Sequence, residues 1–191
     1  MIIPSTRHES KKASNEALNM HLDYLEDITH PDHAGLTLHP ACNYNSGPTA
    51  ADFAAAIEEN RKKYLEVSPC NGWEEAVCCM GDGSYHTATE RDAIEKIIIG
   101  QICPDSPART VWNEDPETGK GLLRIIFPAI NPQGKPNLER NKARQLKLME
   151  ALDEQIANML NTSSNKPAHR EKHIQTAHEV AKNRARKFAN P

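Results

Sequence analysis

The chain has 191 residues, which is enough for one domain with a buried core or for one domain with a helical extension. No apolar run approaches the roughly 20 residues of a membrane span, and no long apolar stretch opens the chain as in a secretory signal, so we expect a soluble, cytoplasmic protein. The five cysteines are odd in number and form no C-x-x-C pair. This pattern favours reduced thiols over a disulfide framework or a zinc-thiolate site.

Charge is distributed unevenly along the chain. Residues 134–191 hold 12 Lys and Arg against 6 Asp and Glu, whereas the preceding residues hold 11 against 20. A basic helical tail is typical of proteins that contact nucleic acid, but a charge-rich helix also serves simply to keep a protein soluble. The residues to which we assign DNA contacts are Lys135, Arg140, Lys166, Arg170, Lys172, Lys182, Arg184, Arg186 and Lys187. Contacts of this kind neutralise phosphates and are sensitive to salt but largely indifferent to base sequence.

The N-terminal half alternates predicted strands with amphipathic helices. Residues 1–3 predict a short strand, and a helix follows from Ser14, an acceptable N-cap, with leucines at helical spacing. Residues 36–38 predict another short strand, and residues 43–48 a polar loop. A second amphipathic helix then begins after Pro48.

The C-terminal half contains the predicted centre of the sheet. Residues 74–80 predict a buried strand, and Thr87 with Glu90 has the spacing of a capping box that starts the next helix. Residues 108–131 predict a hairpin whose second strand, LLRIIF, is apolar at almost every position. Such a run is typical of a strand that is covered on both faces.

This order of elements predicts an α+β fold, with a mixed, largely antiparallel sheet, helices packed on one face and further helices at the C-terminus. We expect a core over residues 1–135, an amphipathic helix over residues 136–162 that packs on this core, and a basic helical tail over residues 163–191.

Arg124 interrupts the apolar run of the second hairpin strand. A guanidinium left unpaired in a buried strand would cost several kcal/mol, so it must reach solvent or an anion. Two interpretations stay open. Arg124 either points out of a sheet edge into solvent, or it faces a cleft that binds phosphate or carboxylate through the bidentate geometry that arginine favours.

A second group of residues has the composition of a metal site. His30, Asp32, His33 and His39 form the densest cluster of ligand-type side chains in the chain. Imidazole and carboxylate groups bind divalent metals, so we assign this cluster as a candidate site. The simpler interpretation is a polar surface loop that is shaped by the intervening proline and needs no ligand.

Several short motifs over roughly residues 15–160 resemble the nuclease domain of plasmid mobilisation relaxases. They are L-x-Y-L around Tyr24, C-N-Y at residues 42–44, the helix start at residues 87–90, and N-P-x-G-K at residues 131–135. In that family a tyrosine hydroxyl attacks a DNA phosphate and becomes linked to the 5′ end, while three histidines hold the divalent cation, Mg²⁺ or Mn²⁺, that polarises the phosphate. The resemblance implies that Tyr24 is the nucleophile, that single-stranded or origin DNA is the partner, and that other relaxosome proteins assemble with it.

The chain departs from the family at the metal site. Aligning the hairpins puts the family's histidines on Trp112, Leu122 and Arg124, none of which is a metal ligand. The resemblance therefore implies a relaxase-like binding protein without nicking activity, or one in which Arg124 supplies the cation. The alternative is a non-enzymatic interaction or regulatory module with an acidic body and a basic tail, in which Tyr24 merely caps the core edge.

Overall fold

The computed structural model describes residues 15–64, 72–80, 86–138 and 141–163. In chain order, its elements are α1 (Asn15–Glu26), a 3-10 turn (Pro31–His33), β1 (Thr37–Tyr44), α2 (Ala50–Tyr64), β2 (Trp73–Cys79), α3 (Ala88–Ile102), β3 (Ala108–Glu114), β4 (Gly121–Pro128) and α4 (Lys142–Ser163). The strand predicted at residues 1–3 and almost all of the predicted basic tail lie outside the described residues. None of the helices in the described ranges has the length and apolar character that crossing a bilayer demands.

The described strands form one antiparallel sheet in the order β1-β3-β4-β2. The predicted hairpin, β3 and β4, is therefore at its centre, as the apolar run of β4 indicated. Strand β1 is longer than the predicted residues 36–38 because its pairing with β3 continues to Tyr44, which lies opposite Ala108. The β1–β3 register is irregular between His39 and Cys42, on either side of Pro40.

Helices cover both faces of the sheet. Val111 and Ile126 pack with α1 and α2, whereas their neighbours Trp112 and Ile125 pack with α3 and α4. The α+β class and the antiparallel sheet are confirmed, but we had expected helices on one face only. Since β4 is apolar at consecutive positions and successive side chains alternate across a strand, each face needs its own helix layer.

Two helix predictions can be compared directly with the structure. The capping box that starts α3 is present, with the Thr87 hydroxyl accepting from the Glu90 backbone N–H and the Glu90 side chain accepting from the Thr87 N–H. Helix α4 begins at Lys142, six residues later than predicted, and contributes Leu152 and Ile156 to the core that it shares with α3.

Candidate functional site

Helix α1 and the 3-10 turn bring four of the predicted site residues together. The Tyr24 hydroxyl donates to an Asp32 carboxylate oxygen at 3.2 Å. The centre of the Tyr24 ring lies 4.7 Å from that of His30 and 5.1 Å from that of His33. We refer to Tyr24, His30, Asp32 and His33 as the Tyr24 corner.

The local sequence folds the turn back onto the helix. Pro31 starts the 3-10 turn, and the Asp32 N–H donates to His30 Nδ1 at 3.2 Å. His33 Nδ1 lies 2.7 Å from the Asp27 carbonyl oxygen and donates to it. His33 is only 3% exposed, and its Nε2 has no hydrogen-bond partner among the described residues.

His39 lies away from this corner. It is on β1, directly opposite Trp112, and therefore belongs to the sheet face that α3 and α4 cover. Its Nε2 is 2.9 Å from a Glu114 carboxylate oxygen. The four predicted ligands therefore do not form one group, and no set of three His, Cys, Asp or Glu side chains in the described ranges is arranged to hold a metal ion. A metal at the remaining three residues stays a prediction.

Arg124 lies on the same sheet face as the Tyr24 corner. Because β4 runs between β3 and β2, Arg124 is not on an edge strand, and its Nη1 donates to a Glu75 oxygen at 2.8 Å. The other Glu75 oxygen is 3.4 Å from His21 Nε2. The Glu75 side chain is 1% exposed, so this ion pair lies beneath the helix layer. Arg124 thus meets a carboxylate, and that carboxylate belongs to the protein itself.

The electrostatics of Glu75 reflect this pairing. Burial by itself would raise the pKa of Glu75, but the hydrogen bonds and charges of His21 and Arg124 outweigh it and lower the pKa from its usual value. A lowered pKa means that Glu75 stabilises the fold at pH values above the carboxyl pKa of the unfolded chain. This contribution is lost as the pH falls through the folded pKa.

Replacing Arg124 with methionine should therefore make the protein more sensitive to acid. The variant keeps the burial that raises the Glu75 pKa and loses one of the two partners that lower it. We expect acid unfolding, followed by circular dichroism, to begin at a higher pH than in the native chain. Lys96→Met serves as the control because Lys96 and its partner Asp92 are 62% and 52% exposed. Equal acid sensitivity of the Arg124→Met and native proteins would show that the pair does not act on Glu75 as described.

The surroundings of the Tyr24 hydroxyl favour its protonated form, which donates a hydrogen bond. Burial raises its pKa, and so do the hydrogen bond to Asp32 and the negative charge of that carboxylate. The guanidinium of Arg124 opposes the rise without overcoming it. An activated nucleophile would need the opposite shift.

The three hairpin positions aligned with the relaxase histidines do not converge. Trp112 faces α3 and α4, where its indole Nε1 donates to Glu95. In β4, Leu122 and Arg124 share the opposite face, because residues two apart along a strand point the same way. These residues therefore fit no divalent metal, either by chemistry or by position.

Sequence reasoning missed His21 and Glu75. Glu75 interrupts an apolar strand just as Arg124 does, and two opposite charges in neighbouring buried strands are a signal for an ion pair. The structure places the asparagine of the C-N-Y motif in a separate contact. Asn43 accepts from the buried Arg109 rather than facing the Tyr24 corner.

Among the residues assigned to DNA, only Lys135 lies in the described part of the chain, where it is exposed. Arg140, Lys166, Arg170, Lys172, Lys182, Arg184, Arg186 and Lys187 lie outside the described residues.

Comparisons of this chain with protein-family models, with curated proteins and with solved structures found no match. Its function is therefore inferred from the contacts and charges of its own residues.

Proposed function

We propose that the chain is a relaxase-like DNA-binding protein that has lost the ability to nick DNA. The observation that carries the proposal is that α1 holds Tyr24 over the sheet face on which Arg124 lies. Relaxase chemistry requires the attacking hydroxyl and the stabilising cation to meet at one phosphate. In a relaxase-like arrangement, the helix that carries the tyrosine, here α1, must therefore cover this face of β4. Burial raises the pKa of Tyr24, and Arg124 is close enough for its charge to oppose that rise.

The loss of nicking is supported by the charges around Tyr24. One nitrogen of Arg124 is engaged by the buried carboxylate of Glu75, whose negative charge offsets that of the guanidinium and weakens its attraction for a phosphate. Residues 15–33 carry five carboxylates, those of Glu16, Asp23, Glu26, Asp27 and Asp32, and no Lys or Arg. Carboxylates close to a phosphate repel it, and more strongly where the site is partly buried. DNA binding then depends on the basic residues from Lys135 onward.

The test uses the full-length chain and its Tyr24→Phe variant with labelled single-stranded DNA in Mg²⁺, in Mn²⁺ and in EDTA. We expect both proteins to bind at low salt and to have equal affinities within each condition, since among the described residues the Tyr24 hydroxyl donates to the exposed Asp32. We expect neither to form a covalent adduct on a denaturing gel.

The outcomes separate the alternatives. A metal-dependent adduct that disappears in Tyr24→Phe would overturn the loss of nicking, identify Tyr24 as the nucleophile and support a metal at His30, Asp32 and His33. Absence of binding at low salt would overturn the DNA-binding proposal and favour the protein-interaction module.

A further inference from the structure

The loop after β4 is rigidly built. The Asn131 side-chain oxygen accepts from the backbone N–H groups of Gln133 and Lys135 at 3.0 and 2.9 Å. The Asn131 N–H donates to the Lys135 carbonyl at 2.7 Å, and the Gly134 N–H donates to the Asn131 carbonyl at 2.9 Å. Gly134 has a φ of 78°, a left-handed conformation that glycine adopts without strain. The loop therefore holds the exposed Lys135 in a defined position.

Tyr64, the last residue of α2, joins this loop to the helix. Its hydroxyl donates to the Pro132 carbonyl oxygen. A Cβ added at Gly134 would lie 3.4 Å from Cε1 of the Tyr64 ring, so the ring packs directly against the glycine. The Lys63 ammonium is 5.1 Å from the centre of the same ring. Lys63 thus lies beside this ring, and Lys135 directly follows the glycine that packs against it; we call these two lysines with Tyr64 the Tyr64 surface.

Within the described ranges, the two ammonium groups of this surface form no ion pair. Neither Lys63 nor Lys135 has a carboxylate within 4 Å among the described residues, whereas the neighbouring Arg61 is bound by both oxygens of Glu58. Basic residues in the last turn of a helix offset its dipole, which accounts for Lys63 alone. The helix dipole does not account for a second exposed lysine on the separate, internally bonded loop that Tyr64 joins to α2.

Two regions differ in charge along the chain. Residues 15–33 are acidic, and the Tyr64 surface is basic. A phosphate backbone is repelled by the first and attracted to the second, because interactions between charges remain strong over about 8–10 Å at moderate salt. Single-stranded DNA is commonly bound by a basic surface that follows its backbone, with an aromatic ring among the cations.

We propose that the Tyr64 surface binds two phosphates of single-stranded DNA through Lys63 and Lys135. This inference rests on the proposed function, since it assigns a location to the DNA-binding activity. Tyr64 is a positioning residue here. Its hydroxyl and ring hold the loop against α2, and so fix where Lys135 lies relative to Lys63.

The experiment compares two double variants with the same change in charge. Lys63→Gln with Lys135→Gln removes both proposed contacts, and Lys96→Gln with Lys120→Gln removes two exposed lysines elsewhere. Binding of a fluorescein-labelled oligothymidylate to the full-length proteins is measured over a range of salt concentrations. We expect the slope of log K against log salt to fall by about 1.4 in the first variant, at about 0.7 per phosphate, and to stay unchanged in the second.

A third variant tests the positioning role. Tyr64→Phe keeps the ring and both lysines but removes the hydrogen bond to Pro132, so we expect weaker binding than native with a retained salt slope. All of these side chains are at least partly exposed, and thermal unfolding checks that each variant is folded.

The possible failures are distinguishable. Equal losses in the two double variants would show a general charge effect and overturn the Tyr64 surface. Native-like binding by the Lys63→Gln, Lys135→Gln protein would also overturn it, while leaving the proposed function intact. Absence of binding by the native chain would instead overturn the proposed function.

Discussion

Replacing Glu26 with alanine should lower the free energy of unfolding by about 1–3 kcal/mol, which is less than for a fully buried ion pair because the Glu26 side chain is itself 34% exposed. Both Glu26 oxygens accept from the guanidinium of Arg109, at 2.7 Å each, and the third donor of that group reaches the side-chain oxygen of Asn43. The Arg109 side chain is only 7% exposed. Removal of the carboxylate would leave a buried positive charge with one neutral acceptor. Urea denaturation of the two proteins measures the difference.

The matched control for this prediction is Glu58→Ala. Glu58 makes the same bidentate contact with Arg61, with both hydrogen bonds at 2.8 Å, but the Arg61 side chain is 29% exposed. Water can replace the lost carboxylate there, so the expected loss is below about 1 kcal/mol. Similar losses in both variants would show that burial of the guanidinium does not determine the cost.

Replacing Glu95 with alanine should cost about 1–3 kcal/mol, because it leaves the buried indole N–H of Trp112 without its acceptor and removes the shorter of two hydrogen bonds from the hydroxyls of Tyr44 and Thr110. Glu95 is 3% exposed and projects from α3 onto the sheet. Its oxygens accept from the hydroxyls of Tyr44 and Thr110 at 2.8 and 2.6 Å and from the indole N–H of Trp112. We expect a lower urea midpoint and a changed fluorescence spectrum, since Trp112 is one of only two tryptophans.

Asp92, one turn earlier on α3, provides the control. It is 52% exposed, pairs with Lys96 at the surface and accepts a 3.4 Å hydrogen bond from the Tyr44 hydroxyl, which keeps its 2.8 Å bond to Glu95, so Asp92→Ala should cost less than about 1 kcal/mol. A second comparison isolates the indole. In a Trp112→Phe background, Glu95→Ala should lower the free energy of unfolding by less than in the native chain, because the indole N–H that would lose its acceptor is already absent. Equal costs in the two backgrounds would contradict the assigned role of the Trp112 hydrogen bond.

The parts of the fold that were predictable are those that depend on neighbouring residues. The capping box at Thr87 needs only the residues of one helical turn. The hairpin needs only two apolar runs and a polar turn. Sequence reasoning assigned Tyr24 to one site and His30, Asp32 and His33 to another. Whether the two sites come together depends on how tightly the turn at Pro31 folds back onto α1. The sequence alone does not specify that angle.

The contact that sequence reasoning missed depends on strand order. Arg124 was expected to need an anion or solvent. Its carboxylate partner, Glu75 in β2, is 49 residues away along the chain. Val77 lies directly opposite Arg124, and Glu75 is its diagonal neighbour two residues away. Glu75 can therefore be identified as the partner of Arg124 only once the β2–β4 register is known. The helix layers were misjudged because an apolar strand indicates cover on both faces without indicating which helices provide it.

The irregularity in β1 has a consequence for how copies of the protein meet. Strand β1 is an outer strand of the described sheet, and a free strand edge invites another chain to add to it. Pro40 has no N–H to offer such a neighbour, and the register shifts between His39 and Cys42. A strand laid along this edge would lose its hydrogen-bond ladder midway. The same irregularity therefore disfavours pairing of another chain's strand along the β1 edge.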